Sequence, residues 1–154
     1  LYNRIVSAKQ NAHEALAGID VQLKRRHDLI PNLVSVVQGY AAHEKKLFEH
    51  IAQERAQALA VPKEDVQQVA GIEKDIMTSL KSIFALAEAY PDLKANEQFL
   101  KLQQQLGETE DQIASARRIY NSNVTDYNTL ISSFPVNLAA LLHRFARMPL
   151  FQNG

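Results

Sequence analysis

Ile19-Asp20-Val21-Gln22-Leu23-Lys24-Arg25-Arg26-His27-Asp28-Leu29-Ile30-Pro31-Asn32-Leu33 is the stretch on which the fold turns. Ile19, Leu23, Ile30 and Leu33 fall three, four or seven apart, the spacing of a buried helix face. Arg26 stands on that same face, and Pro31 then interrupts it. A proline inside a helix removes one backbone hydrogen bond and crowds the preceding turn. The stretch therefore reads either as one bent helix or as the junction of two. Upstream, Ile5 and Ala12 keep the seven-residue phase of Ile19, with Leu16 beside them; downstream, Leu33, Tyr40 and Leu47 continue it, with Val37 and Ile51. Phase favours a bent helix. Length favours a junction, because a straight rod over residues 1–58 would span about 87 Å at 1.5 Å per residue, more than twice what the next segment covers. We take the junction, which predicts helices over 1–28 and 32–58.

The rest of the chain reads more simply. Val69, Ile76, Ile83 and Tyr90, with Ile72, Leu80 and Leu86, predict a helix over 64–89. Phe99, Leu106, Ile113, Tyr120 and Tyr127, with Leu102, Val124 and Leu130, predict another over 96–132. No run alternates with the period of two that a strand requires. Val61-Pro62-Lys63-Glu64-Asp65 and Tyr90-Pro91-Asp92 read as breaks, Asn96 as an N-cap with Glu97 in the first turn, and Pro135 as a stop. The expected fold is all-α: an antiparallel up-and-down four-helix bundle in one domain over 1–154, ending in a short amphipathic tail over 135–151.

Composition narrows the function. The 154 residues hold no cysteine, which excludes disulfides, thiolate metal sites and cysteine nucleophiles. Lys and Arg balance Asp and Glu at 17 each, so no basic domain invites nucleic acid. The apolar runs Ser82–Tyr90 and Pro135–Leu142 fall far short of a membrane span. No Gly-x-Ser-x-Gly, P-loop or dinucleotide fingerprint occurs, and the five glycines make phosphate-cradling loops hard to build. The Glu-x-x-His pairs of a di-iron bundle are absent, because Gln10, Lys24, Tyr40, Leu47 and Ala140 stand three before the histidines. His43, His50 and Glu54 share a helix face that reads as solvated rather than metal-binding. No catalytic, metal or cofactor-binding residue is expected, and the chain reads as a non-enzyme.

Three polar groups stand out. With turns at 28–31 and 90–95, Arg25, Arg26, His27, Asp28 and Asn32 share one end of the bundle with Tyr90, Asp92, Lys94 and Asn96. They read there as helix caps tying two turns together, or as a docking tip whose arginines suit bidentate anion contacts. Arg26, Glu110 and Arg117 stand on or beside apolar stripes and need partners, as interhelical ion pairs or around a polar cavity. The tail sets Leu138, Leu141, Leu142, Phe145 and Met148 among His143, Arg144 and Arg147. It reads as a lid over the opposite end of the bundle, or as an interfacial segment with Leu141, Arg144, Phe145 and Arg147 facing a membrane.

The 19–33 stretch occurs with Ala87-Glu88-Ala89-Tyr90-Pro91-Asp92-Leu93-Lys94-Ala95-Asn96, Glu110, Ala116-Arg117-Arg118-Ile119-Tyr120-Asn121, Tyr2-Asn3 at the front and Phe134-Pro135 near the end. In that order, from Tyr2 to about Phe151, the chain resembles the LemA family of bacterial membrane proteins. The resemblance implies an up-and-down four-helix bundle and one transmembrane anchor just before the position of Tyr2. It therefore implies a place at the bacterial inner or cell membrane, on a side it does not specify. It supplies no agreed catalytic residues and no established molecular function. On this basis we expect a membrane-tethered, non-catalytic interaction domain with an unidentified protein partner. The alternative is a lipid-binding or membrane-remodelling role through the tail.

Overall fold

A computed structural model describes residues 2–133 and 136–152, and every regular element among them is a helix. They are α1 (Tyr2–Gln38), α2 (Lys45–Ala60), α3 (Val66–Ala87), α4 (Pro91–Lys94), α5 (Glu97–Ser132) and α6 (Val136–Leu142). The 37-residue α1 and 36-residue α5 run antiparallel along their whole length. Ile5 packs with Tyr127 and Ile131 at one end, and Leu33 shares a cluster with Phe99 and Leu102 at the other. The shorter α2 and α3 pair with each other and lie against this long pair at its Leu33 end.

The apolar stripes are the core. Ile5, Ala12, Ile19 and Leu33 in α1 are buried, as are Phe99, Leu106, Ile113, Tyr120 and Tyr127 in α5. Tyr40 is the exception, exposed at the turn that follows α1. The caps follow local chemistry. Asp65 accepts from the Gln68 amide at the start of α3, and Asn96 accepts from the Phe99 amide at 2.9 Å at the start of α5. Pro91 takes the first position of α4, where its missing N–H is no loss. α5 ends at Ser132; the stop expected at Pro135 lies outside the described residues.

The junction expected at Pro31 is overturned: α1 continues through it without a break. The bond that Pro31 cannot make is the one to the carbonyl of His27, four residues earlier. Arg55 of α2 supplies the missing donor, its Nε reaching that carbonyl at 2.8 Å. A neighbouring helix thus repairs the proline defect. The chain turns instead at residues 39–44, where Gly39, Tyr40 and Ala41 close back on the carbonyls of Val36 and Val37. The segment expected over 32–58 is accordingly split between the end of α1 and α2.

The lower end is closed by the C-terminal residues. α6 ends in a tight turn in which the Phe145 amide bonds the Ala140 carbonyl at 2.9 Å and the Arg144 amide bonds that of Leu141. This closing pattern places Arg144 in the left-handed region, at φ 58°. The chain then returns along α5 as an extended strap over residues 145–152.

Candidate functional site

Moving the turn from Pro31 to residues 39–44 separates the residues expected at the tip. Arg25 to Asp28 stand ten or more residues before the end of α1, about 15 Å down the helix axis. Only Tyr90, Asp92, Lys94 and Asn96 belong to the turn region. There Asn96 caps α5 and donates from Nδ2 to the Tyr40 hydroxyl at 3.0 Å, and Lys94 pairs with Glu88 at 2.7 Å. Asn32 and Asp28 are exposed on α1, and Arg25 makes a surface pair with Glu108 at 3.3 Å. The two halves of the expected tip do not meet.

Arg26 and His27 turn inward and build a buried charge network. Arg26, only 2% exposed, gives Nη2 to Glu73 of α3 at 2.5 Å and Nη1 to Glu110 of α5 at 3.1 Å. The second oxygen of Glu73 bonds His27 Nε2. A carboxylate only accepts, so His27 is the donor. One guanidinium fork therefore ties α1, α3 and α5 together at a single level, where its planar geometry can serve two carboxylates at once. Desolvating these charges is costly, and their mutual pairing offsets the cost. Arg26 Nε and His27 Nδ1 are nevertheless buried without a protein partner.

The network borders a cavity of about 210 Å³ between α3 and α5, floored by α1. Leu23, Ala70, Met77 and Ile113 give it apolar walls, and Phe151 of the strap closes one side. Lys74 and Lys81 from α3 and Arg117 from α5 line it as well, and among the described residues none of the three makes an ion pair. Of the three buried-polar candidates, Arg26 and Glu110 are partners, while the half-buried Arg117 faces the cavity without joining them.

Sequence reasoning missed Glu73, although it stands four after Val69 and three before Ile76, on the apolar stripe, as Arg26 does on its own. It also misread Glu54. That carboxylate is not on a solvated face but 6% exposed, accepting from Ser79 Oγ at 2.5 Å, while His50 beside it stays in water. Among the described residues no group of three metal-ligating side chains is gathered.

The tail residues divide. Leu141 and Leu142 are 76% and 80% exposed, and Arg144 and Arg147 are also in solvent. Phe145, which faces a membrane in one of the two readings of the tail and belongs to a lid in the other, is half-buried. Its ring lies 6.0 Å from that of Tyr2, with Lys9 Nζ 5.5 Å above it. Tyr120 and Tyr127 are buried on the other side of the strap, and burial pushes both phenols above their ordinary 10.0.

Over 98% of its length the chain is 27% identical to the magnetosome protein MamQ 2 of Paramagnetospirillum magneticum, and it covers 64% of that protein. It is 25% identical to the magnetosome protein MamQ of Magnetospirillum gryphiswaldense, with 97% and 64% covered. With the protein LemA of Metamycoplasma hominis it shares 26% identity over 97% of its own length and 68% of the relative's. The chain thus spans just under two thirds of the MamQ proteins it matches. The sequence profile of the LemA family matches residues 15–153, and the chain belongs to the LemA family.

Proposed function

We propose that this chain is the non-catalytic interaction domain of a membrane-tethered protein, an up-and-down bundle of four principal helices that docks an acidic segment of a protein partner. One observation carries the reading. The acids of the central cavity are already committed to Arg26, while Lys74, Lys81 and Arg117 around it have no acidic partner among the described residues. The hydroxyls nearby are also occupied: Thr78 donates to its own helix and Ser79 to Glu54. Such a site attracts and orients negative charge and holds no nucleophile beside a free base. Tethering rests on kinship with the family rather than on the described helices, none of which is long and apolar enough to cross a membrane. The test is crosslinking in membranes with the full-length protein and its K74Q/K81Q/R117Q variant. A partner held by the first and lost by the second supports the reading. Identical capture by both removes the cavity rim from it.

The exposed Leu141 and Leu142 beside Arg144 and Arg147 favour a second reading, in which α6 touches an anionic lipid surface. Cosedimentation with anionic vesicles at low salt, where basic attraction is strongest, decides it. Absence of binding there ends this reading.

A further inference from the structure

The strap is held in an unusual way. α5 carries the pair Tyr120-Asn121 and, seven residues on, the pair Tyr127-Asn128. Asn128 clasps Met148 at two points, donating Nδ2 to its carbonyl at 2.9 Å and accepting its amide at 2.8 Å. Asn121 clasps Phe151 in the same way, at 3.1 and 2.7 Å. Tyr127 donates to the Ala146 carbonyl at 2.9 Å and Tyr120 to the Pro149 carbonyl at 3.1 Å. The two periods match. Seven helical residues rise about 10.5 Å, and three residues of an extended chain cover about 9–10 Å.

All six bonds go to main-chain atoms of the strap. Within residues 146–151 only Met148, half-buried, and Phe151, 4% exposed, set side chains into the body of the protein, while Ala146, Arg147, Pro149 and Leu150 face water. A groove of this kind recognises an extended segment with an apolar residue at the first clasp and an aromatic one three further on. The proline between them has no N–H to leave unpaired.

We propose that this face of α5 is a docking groove for an extended chain, filled from within by residues 146–151 and filled by the same residues of a second copy through exchange. The occupant seated in the groove is itself the argument for the second copy. An exchanged segment makes the same six bonds, so the closed and exchanged forms differ chiefly at the hinge. The hinge is the left-handed Arg144, strained for any residue with a side chain. Beside it Leu138, Leu141 and Leu142 lie exposed, an apolar patch that the closed chain leaves in water.

The test uses the full chain, a fluorescent peptide of residues 144–152 read by anisotropy, and light scattering for oligomeric state. Arg144→Pro cannot adopt the left-handed turn and frees the strap, whereas Arg144→Gly adopts it without strain. The peptide should bind R144P about tenfold or more tighter than wild type and R144G more weakly than wild type. R144P should also form dimers as its concentration rises. Asn121→Ala with Asn128→Ala in the R144P background should abolish both effects. If far-UV circular dichroism shows that this variant has unfolded, Asn121→Ala alone, with one clasp left, should weaken the peptide about tenfold. Equal peptide binding by R144P and R144G, or binding that survives loss of the asparagines, overturns the groove. Peptide binding by an R144P that stays monomeric overturns the second copy as its occupant.

Discussion

Replacing Arg55 by alanine tests how a helix passes through a proline. The variant leaves the His27 carbonyl without the Nε donor that stands at 2.8 Å, and Pro31 has no N–H to take its place. A hydrogen bond from a charged donor contributes about 1.5–3 kcal/mol. Arg55 is only half-buried and water can reach the gap, so the expected loss is about 1–2 kcal/mol. At roughly 2–4 °C per kcal/mol for a chain of this size, the melting temperature should fall by about 2–8 °C. The sharper measurement is a double-mutant cycle by urea denaturation with Pro31→Ala. Pro31 is exposed, so its truncation disturbs little packing, and the alanine amide restores the ordinary i to i−4 donor to the same carbonyl. In that background Arg55→Ala should cost about 1 kcal/mol less than it does beside Pro31. Additivity within about 0.5 kcal/mol would refute the repair, and so would an Arg55→Ala variant as stable as wild type.

Arg26→Ala and Glu73→Leu should each destabilise by about 3–5 kcal/mol, because the first leaves the buried Glu73 with His27 alone and the second leaves the buried Arg26 with only the partly exposed Glu110, whereas Arg26→Met combined with Glu73→Leu should be less damaging than either alone; chemical denaturation reads all three. Glu110→Ala should cost less, since Glu110 is 38% exposed and Arg26 keeps Glu73. Burial raises the Tyr120 and Tyr127 phenols in the folded state above the unfolded 10.0, so their contribution is complete below pH 10 and is lost as pH climbs through the folded values. Y120F/Y127F should flatten that alkaline decline in a thermal-melt series. Arg144→Gly should stabilise the chain by about 1 kcal/mol, by relieving a left-handed residue with a side chain; an unchanged or lowered melting temperature would contradict the strain.

Local periodicity carried most of the fold. Every stripe residue in the Phe99 to Tyr127 series lies in the core, because a seven-residue repeat of large apolar side chains has one face to bury. Pro31 misled because its effect depends on Arg55, which stands 24 positions further along the chain and enters only through tertiary contact. The phase kept by Ile19, Arg26 and Leu33 was the better guide, and Gly39 just past Gln38 was the stop signal. The near-equal lengths of α1 and α5 follow from that boundary alone. Arg26 was legible as a charge on an apolar stripe, but its partners were not, since no local rule pairs residues 26, 73 and 110. The asparagine clasps were visible only as a repeated Tyr-Asn dipeptide. Their meaning lies in a strap without helical or strand periodicity of its own.

Phe151 belongs to two things at once: it is the last residue clasped by α5 and a wall of the cavity beside Arg26. The two equilibria in which it takes part are therefore thermodynamically linked, and linkage is reciprocal. A ligand that packs against Phe151 inside the cavity holds the strap on α5 by the same factor by which a seated strap favours that ligand. Departure of the strap removes that wall and, by the same linkage, weakens the cavity's grip on a ligand that packs against it. A ligand in the cavity and the seated strap thus report on each other through Phe151.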